Sequence, residues 1–535
     1  MNIFYILIST ILYTISFPKF NLWWFAFISL VPFLFALDNA DSAFKNFIYG
    51  ILWSVGYSCG MGYWAFFTIL NHYEVPFAKS VLFFTLCVVI PPVLIFTCFA
   101  VFYRFLHQAR LFFYALVVPS LWVLAEYLKE VVSFLIPWGG MEYALVPFSE
   151  FIQIADLTGG YGIMFIAVSV NALFVYLIKQ FKFQKEKQVM HDTGHNNANS
   201  ISGAGVSTPL ILILLLITIP VIYGVHQLRK IDGAVDQEYK SGQAVRATLV
   251  QGNYSTKERW SGMGFYQRVM NYLEMSGDTY GHKSGEKPIE KIGNKGQGAR
   301  VIVWPENTLN SSSKLNDALF VEIMRYIGEN ALLISGGLKT DRKNNDVFNS
   351  AYFISGTGQL LRYDKHILLP YAETSPLIDL LDTYYAAPNA FTSGRTPLCI
   401  NAPGGNVGAS ICFEILYPGF IRQSVKNGAQ YLVNVSNDSW FGDSPMPYIH
   451  LNAARLRAVE NRRFLLRTSN SGISAVISPT GKVMAQSQLF TKERVDGDFV
   501  KLDQLSFYAR HGNLILFGAA IILLAAMVQV VLKKD

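Results

Sequence analysis

Charge is scarce in this 535-residue chain. Asp, Glu, Lys and Arg make up 15% of it, against roughly 25% in typical soluble domains. Beside 52% apolar residues, that scarcity describes a membrane protein. The basic residues form no stripe, so the net charge of +7 is not a nucleic-acid footprint, and no nucleic-acid partner is expected. Cysteine is also sparse. Of the five, Cys59, Cys87 and Cys98 lie in apolar segments. Cys399 and Cys412 could pair, but the spacing gives neither a disulfide framework nor a zinc site. There is no glycine-rich phosphate loop, and nothing calls for a metal or other cofactor.

What is abundant is the apolar segment. Candidates run roughly 3–17, 22–37, 46–70, 80–105, 110–137, 158–178, 208–226 and 513–532. Most approach or exceed the ~20 residues that cross hydrocarbon. Pro18-Lys19 splits the first two, so they read as a tight hairpin. The first lacks the basic start and cleavage site of a signal peptide. Arg104, His107 and Arg110, then Lys179, Lys182, Lys185 and Lys187, and finally Lys533 and Lys534 mark cytoplasmic sides. Lys19 and Lys79 fall on the other side. The pattern predicts eight crossings, both termini cytoplasmic and a large external block. The expected domains are 1–226 with helices 1–7, 227–505 as the catalytic domain, and 506–535 with helix 8 and a cytoplasmic tail. Residues 191–207 read as a flexible linker, and 277–298 as a surface insertion. Glu126 and Lys129, spaced i, i+3 in the fifth segment, are either a functional intramembrane pair or residues at the membrane interface.

The external block alternates strands and helices. Runs 244–250, 300–304, 332–335, 351–354, 406–412, 431–435 and 473–477 read as strands. Runs 311–330, 418–427 and 446–463 read as helices, with Ser311-Ser312-Ser313 as a cap. Such alternation predicts an α/β layered domain.

Three polar residues follow β-rich runs in this block: Glu306, Lys365 and Cys412. Together they would supply a base, a cation and a nucleophile. A thiol with a pKa near ~8.5 is only a few per cent thiolate at neutral pH. A nearby carboxylate must therefore take its proton during attack. Spacing alone does not bring the three together, and each could equally be a surface or core residue.

The strings Trp304-Pro305-Glu306, Tyr363-Asp364-Lys365, Leu369-Pro370-Tyr371-Ala372-Glu373 and Ile411-Cys412-Phe413-Glu414 resemble the Glu-Lys-Cys triad of the nitrilase, or carbon–nitrogen hydrolase, superfamily. Inserted between apolar segments seven and eight, the block is similar to the apolipoprotein N-acyltransferases of the bacterial inner membrane. Further strings carry that narrower resemblance: Val250-Gln251-Gly252-Asn253, Ser436-Asn437-Asp438-Ser439-Trp440-Phe441-Gly442, His450 through Arg457, Arg467 through Ser474, and Tyr508-Ala509-Arg510-His511-Gly512-Asn513.

The resemblance implies an αββα sandwich in an eight-helix membrane domain, with the catalytic domain periplasmic. It implies acyl transfer in two steps. Cys412 would take an acyl chain, the sn-1 chain, from a glycerophospholipid as a thioester. The N-terminal amine of a diacylated apolipoprotein would then accept it. It also implies Glu306 as base, Lys365 as oxyanion partner, Glu373 and Glu414 in support, and Trp260, Phe413, Trp440 and Phe441 near the substrate. A monomer is the expected state, and membrane lipid the expected surroundings. Phe413 stands where many members have tyrosine, Ala372 where glycine is common, and Asn307-Thr308 where a small hydroxyl residue is usual. Two other readings compete: a membrane-bound amidase that releases the acyl group to water, and a receptor or transporter. The last would need more intramembrane charges than Glu126 and Lys129.

Overall fold

The computed structural model describes residues 2–132, 135–192, 205–255, 264–277, 299–309, 317–341, 343–344, 346–370, 372–374 and 391–532. Trp260, the Ser311–Ser313 cap, Lys533 and Lys534, and most of the 191–207 and 277–298 segments lie outside the described residues. The chain divides into two units. One comprises Met1–Leu70, Pro76–His226 and Asn513–Asp535; the other comprises Asn71–Val75 and Gln227–Gly512.

The first unit is helical. Among the described residues, four helices are long and apolar enough to cross a membrane: Phe77–Leu106, Ala155–Lys185, Ser207–Lys240 and Leu514–Leu532. Of the other apolar stretches, Ala43–Phe67 is a continuous 25-residue helix of lower hydropathy, and Asn2–Ser16 and Trp23–Asp38 are shorter. Residues expected as one helix over 22–37 fold as a short turn, Trp23–Phe27, and an 8-residue helix, Val31–Asp38, with proline in its first turn. Proline suits that position because its missing N–H has no partner there. The core is aromatic: the ring of Trp53 meets those of Phe33, Tyr57, Phe96 and Trp122 at 4.9–5.4 Å. Glu126 and Lys129 lie on the helix Val118–Val131, and both are buried and ion-paired with each other. Lys129 also reaches the Tyr57 hydroxyl and the Trp138 carbonyl, each at 3.4 Å. The pair faces into the unit.

The second unit is a two-sheet sandwich. Its strands are β1 (Val245–Gln251), β2 (Arg300–Leu309), β3 (Ala331–Asp341), β4 (Asp346–Ser355), β5 (Leu360–Asp364), β6 (Cys399–Ala402), β7 (Gly405–Ile411), β8 (Tyr431–Ser436), β9 (Leu465–Ser469), β10 (Ala475–Ile477), β11 (Val483–Gln486) and β12 (Glu493–Phe499). One sheet has the order β12-β1-β2-β3-β4-β5, the other β11-β10-β9-β8-β7-β6. In each, three central strands run parallel and the flanking pairs are antiparallel. The sheets face each other, with β2 against β8 and β9 and β4 against β7. Helices Phe265–Ser276 and Asp317–Ile327 cover the first sheet; Pro418–Lys426 and Met446–Asn461 cover the second. This is an αββα layering. Central strands such as Val301-Ile302-Val303-Trp304 are buried along their length. A parallel strand covered on both faces needs that continuous apolar run.

Two local departures place functional groups. The β2–β3 ladder pairs Trp304 with Ser335, then resumes only at Leu309 with Gly337. Glu306 sits in the gap. Gly336 lies opposite, where a Cβ would stand 2.4 Å from the Glu306 Cα and 2.6 Å from the Pro305 oxygen. The second departure is at the end of β7, where Cys412 adopts a left-handed φ of 52°. That conformation costs a non-glycine residue about 1–3 kcal/mol and persists where surrounding contacts impose it.

Gly336→Ala must therefore push β3 away from the Glu306 backbone. A thermal melt should show it about 1–3 kcal/mol less stable, while Gly264→Ala, where a Cβ meets open space, should be near neutral.

Candidate active site

Lys365 follows β5 and is buried. Its ammonium donates to Glu373 Oε2 at 2.7 Å, and that oxygen also accepts the Leu369 N–H at 2.7 Å. The Glu373 backbone N–H closes on the Leu369 carbonyl at 2.9 Å, so the turn 369–373 presents its carboxylate to the lysine. Asn349, on β4, joins this pair to Glu306. Its Nδ2 donates to Glu306 Oε1 at 2.7 Å and to Glu373 Oε1 at 3.0 Å. Its carbonyl accepts the Lys365 backbone N–H at 2.8 Å. One residue thus holds two carboxylates with its side chain and the lysine's main chain with its carbonyl. Burial alone would lower the Lys365 pKa, but the charges of Glu373, Glu306 and Cys412 outweigh it and hold the ammonium above its usual range.

Cys412 is buried where β7 gives way to the short helix Cys412–Leu416. Its left-handed backbone is held from β8. Asn434 Nδ2 donates to the Cys412 carbonyl at 3.2 Å and to Ser410 Oγ at 3.0 Å. Ser410, Asn434 and Arg467 stand in register across β7, β8 and β9, and Arg467 hydrogen-bonds the Asn434 amide oxygen. Arg467 Nη2 also donates to Asp438 Oδ2 at 2.7 Å, and Asp438 Oδ1 meets Ser436 Oγ at 2.8 Å and His450 Nδ1 at 3.2 Å. The Arg467 and His450 side chains overcome burial and hold the Asp438 carboxyl well below its usual range. A polar floor, charged at Arg467 and Asp438, therefore lies beneath the nucleophile.

Burial pushes the Cys412 thiol well above its ordinary range, and the carboxylates of Glu306 and Asp438 push it further. Lys365 and a hydrogen bond from Ser436 oppose the rise but do not reverse it. The resting group is a thiol. Glu306 and Lys365 both act electrostatically on it, so the structure gathers the three residues expected from the sequence into one site.

Glu414 accepts four hydrogen bonds: the Tyr363 hydroxyl at 2.8 Å and the N–H groups of His366, Ile367 and Ile411 at 2.7, 3.0 and 2.7 Å. Four donors on one carboxyl suit its ionised form. Burial pushes its pKa up to about 7, against the opposing pull of Lys365 and these donors. Glu414 ties the exit of β5 to the exit of β7 and so fixes the lysine relative to the cysteine. Phe413 is buried with its ring 5.1 Å from that of Tyr417. Phe441 packs on His450 at 5.8 Å, and Trp440 meets His72 at 6.0 Å. Among the described residues, no His, Cys, Asp and Glu cluster is arranged to hold a metal ion.

Asn349 and Asn434 were not singled out in the sequence. The only signal of Asn434 is a lone amide inside the apolar run 431–435. Asn349 precedes its run and gives less.

Two comparisons of the whole chain bear on this geometry. Residues 246–501 match the carbon–nitrogen hydrolase family, and residues 9–173 match the apolipoprotein N-acyltransferase N-terminal domain. The chain is similar to the apolipoprotein N-acyltransferase of Geobacter metallireducens, at 26% identity over 526 residues, 96% of this chain and 93% of that one. It is similar to that of Haemophilus influenzae, at 25% over 546 residues, 99% of this chain and 95% of that one. Among solved structures, an amidase from Nesterenkonia sp. aligns at 17% identity with a TM-score of 0.37, over 51% of this chain and 95% of that one.

Two outcomes follow from the geometry. In an ultraviolet thiolate titration, referenced to Cys412→Ala, Cys412 should ionise far above the usual ~8.5 of a free thiol. Glu306→Gln removes a negative neighbour and should shift that ionisation down; Lys365→Met removes a positive one and should shift it up. Ordinary wild-type ionisation would contradict the electrostatics described. Asn349→Ala leaves two buried carboxylate oxygens short of a donor, at about 1–3 kcal/mol. Turnover should fall about 10- to 100-fold on that scale, with the chain still folded by circular dichroism.

Proposed function

We infer that this chain, which belongs to the apolipoprotein N-acyltransferase family, takes an acyl chain from a glycerophospholipid and delivers it to the N-terminal amine of a diacylated apolipoprotein. The observation that carries the reading is the succession of the two family matches along one chain, with buried Cys412 in the second of them.

Glu306 is the general base. As Cys412 Sγ bonds to the ester carbonyl carbon, the thiol proton passes to the Glu306 carboxylate and the carbonyl electrons move to oxygen. The Lys365 ammonium faces that oxyanion. A single oxyanion donor contributes about 2.7–4 kcal/mol to such a step. Collapse breaks the bond to the lysophospholipid oxygen, which takes the proton from Glu306, and leaves a thioester on Cys412. The acceptor amine then attacks the thioester. Glu306 removes its proton, and Cys412 leaves as the thiol.

Glu373 holds Lys365 in place, and Glu414 fixes the turn on which it sits. Phe413, Trp440 and Phe441 line the approach of the lipid substrates, and Trp260 is assigned with them from its place in the sequence. The substrate ester lies near the headgroup level, about 15 Å from the bilayer centre. The loop charges favour eight crossings in the bacterial inner membrane, with both termini cytoplasmic and the catalytic unit periplasmic. The domain limits near residues 226 and 505 follow from the same topology. A monomer suffices for this chemistry.

Purified protein mixed with phospholipid alone should gain one acyl chain in intact-mass spectra. The adduct should be labile to hydroxylamine and absent in Cys412→Ala. A diacylated lipopeptide should then discharge it faster than water does. Failure to form an adduct would exclude the thioester route; equal discharge by water would make the protein a hydrolase.

A further inference from the structure

Asn434 on β8 and Arg467 on β9 are both 0% exposed. On β8, Tyr431 packs its ring on Phe499 of the other sheet at 4.8 Å. Alternation along the strand then turns Leu432, Asn434 and Ser436 toward the covering helices. His450, on the helix Met446–Asn461, meets Arg467 Nη2 at 3.1 Å on that same side. An amide and a guanidinium buried between a sheet and a helix are costly unless specifically paired. Arg467 is not even fully satisfied: among the described residues its Nε has no acceptor. Apolar residues of similar size would serve packing alone at least as well, so the pair calls for another explanation.

Its hydrogen bonds run in one direction. A guanidinium only donates. Arg467 gives Nη2 to Asp438 Oδ2 at 2.7 Å and Nη1 to Asn434 Oδ1. With its oxygen so committed, Asn434 must turn its NH2 group the other way. There it donates to the Cys412 carbonyl at 3.2 Å and to Ser410 Oγ at 3.0 Å. Arg467 thus sets the orientation of the amide, and the amide holds the main chain of Cys412. The point of attachment matters. The ladder between β7 and β8 ends with Ile411 opposite Val435, and the Cys412 carbonyl comes next along the chain. Strand pairing does not reach the residue whose φ is 52°; the Asn434 amide does.

We propose that Asn434 and Arg467 are positioning residues for acyl transfer: Arg467 orients the Asn434 amide, and the amide pins the Cys412 carbonyl, so that the nucleophile keeps its left-handed backbone and its thiol the direction that goes with it; this rests on the acyl-transfer reading above. Both side chains are fully buried and neither touches substrate. Without the pin, Cys412 relaxes toward the φ that a residue with a Cβ prefers. Rotation of its main chain carries Sγ with it. A misplacement of about 1 Å at a reacting atom costs about 100-fold in rate. Asp438 completes the chain by holding the other arm of the Arg467 fork.

The test follows acylation of Cys412 by phosphatidylethanolamine in the full-length protein in detergent micelles, reading both the rate and the final number of acyl chains per protein. Asn434→Asp keeps the size and the oxygen that Arg467 requires but has no N–H. Asn434→Leu keeps the size with no polar group and no added charge. Both should reach the wild-type stoichiometry, about 10- to 100-fold more slowly at saturating lipid, with the half-saturating lipid concentration unchanged. Arg467→Lys keeps the buried charge but loses the fork, and should slow acylation less. Added to Asn434→Asp, it should slow it no further, because Arg467 acts through the amide. A lowered stoichiometry at an unchanged rate would make Asn434 a structural residue and overturn the proposal. So would a rise in half-saturating lipid alone, or an undiminished rate in either Asn434 variant. Full additivity in the double variant would overturn the part assigned to Arg467. If the wild-type protein forms no acyl adduct, the acyl-transfer reading itself fails and the proposal with it. That result is distinct from an Asn434→Asp protein that acylates at the wild-type rate.

Discussion

Burying the Lys365 ammonium is the constraint on which the rest of the site depends. An uncompensated charge in a protein interior costs several kcal/mol, so carboxylates must be brought to it. Glu373 comes from the turn after β5 and Glu306 from the gap in β2. Two carboxylates near one ammonium would repel each other, and Asn349 relieves this by donating to both. The backbone follows from the charge. The main chain of Lys365 is tied to Asn349, the turn 369–373 closes on its own carboxylate, and Glu414 gathers three N–H groups from the exits of β5 and β7. Four stretches distant in sequence are thereby fixed by one positive charge and its acceptors.

The same balance of charge decides the state of the nucleophile. Glu306 and Asp438 raise the Cys412 pKa and Lys365 lowers it, on top of strong desolvation. Many reactive cysteines are kept as thiolates by nearby cations; this one is kept neutral. A neutral thiol is a poor target for oxidation or adventitious electrophiles. In the proposed mechanism it becomes a nucleophile only while a substrate carbonyl is in place and Glu306 takes the proton. Nucleophilicity is thus coupled to occupancy of the site.

How much of this could be read from the chain follows from burial. The central strands β2, β3 and β8 are continuous apolar runs and announce themselves. Strands β11 and β12 do not: Glu493-Arg494-Val495-Asp496-Gly497-Asp498-Phe499 is mostly charged, and at the sheet edges β11 has no buried residue and β12 only Val495 and Phe499. The triad was legible as residue types after strands and through its family strings, not through spacing. Asn349 carried no such mark, because an amide that bridges two carboxylates is recognisable only once both carboxylates are placed. In the first unit, the pattern anticipated apolar segments but not the break between Trp23–Phe27 and Val31–Asp38, which proline sets.

In the proposed mechanism both half-reactions run through one carboxylate, that of Glu306. In the first, Glu306 must accept the thiol proton and return it to the departing lysophospholipid oxygen. In the second, the neutral amine attacks the thioester, and Glu306 must accept its proton and pass it to the departing Cys412 sulfur. A base fully neutralised by a salt bridge would be too weak for either step. Lys365 pairs directly with Glu373, and the Asn349 side-chain amide donates to both carboxylates. In that proposal the lysine's direct partner is a residue that takes no part in proton transfer, which leaves the Glu306 carboxylate to that task. Exchanging these roles, with the lysine paired directly to Glu306, would stabilise the resting site and slow both steps.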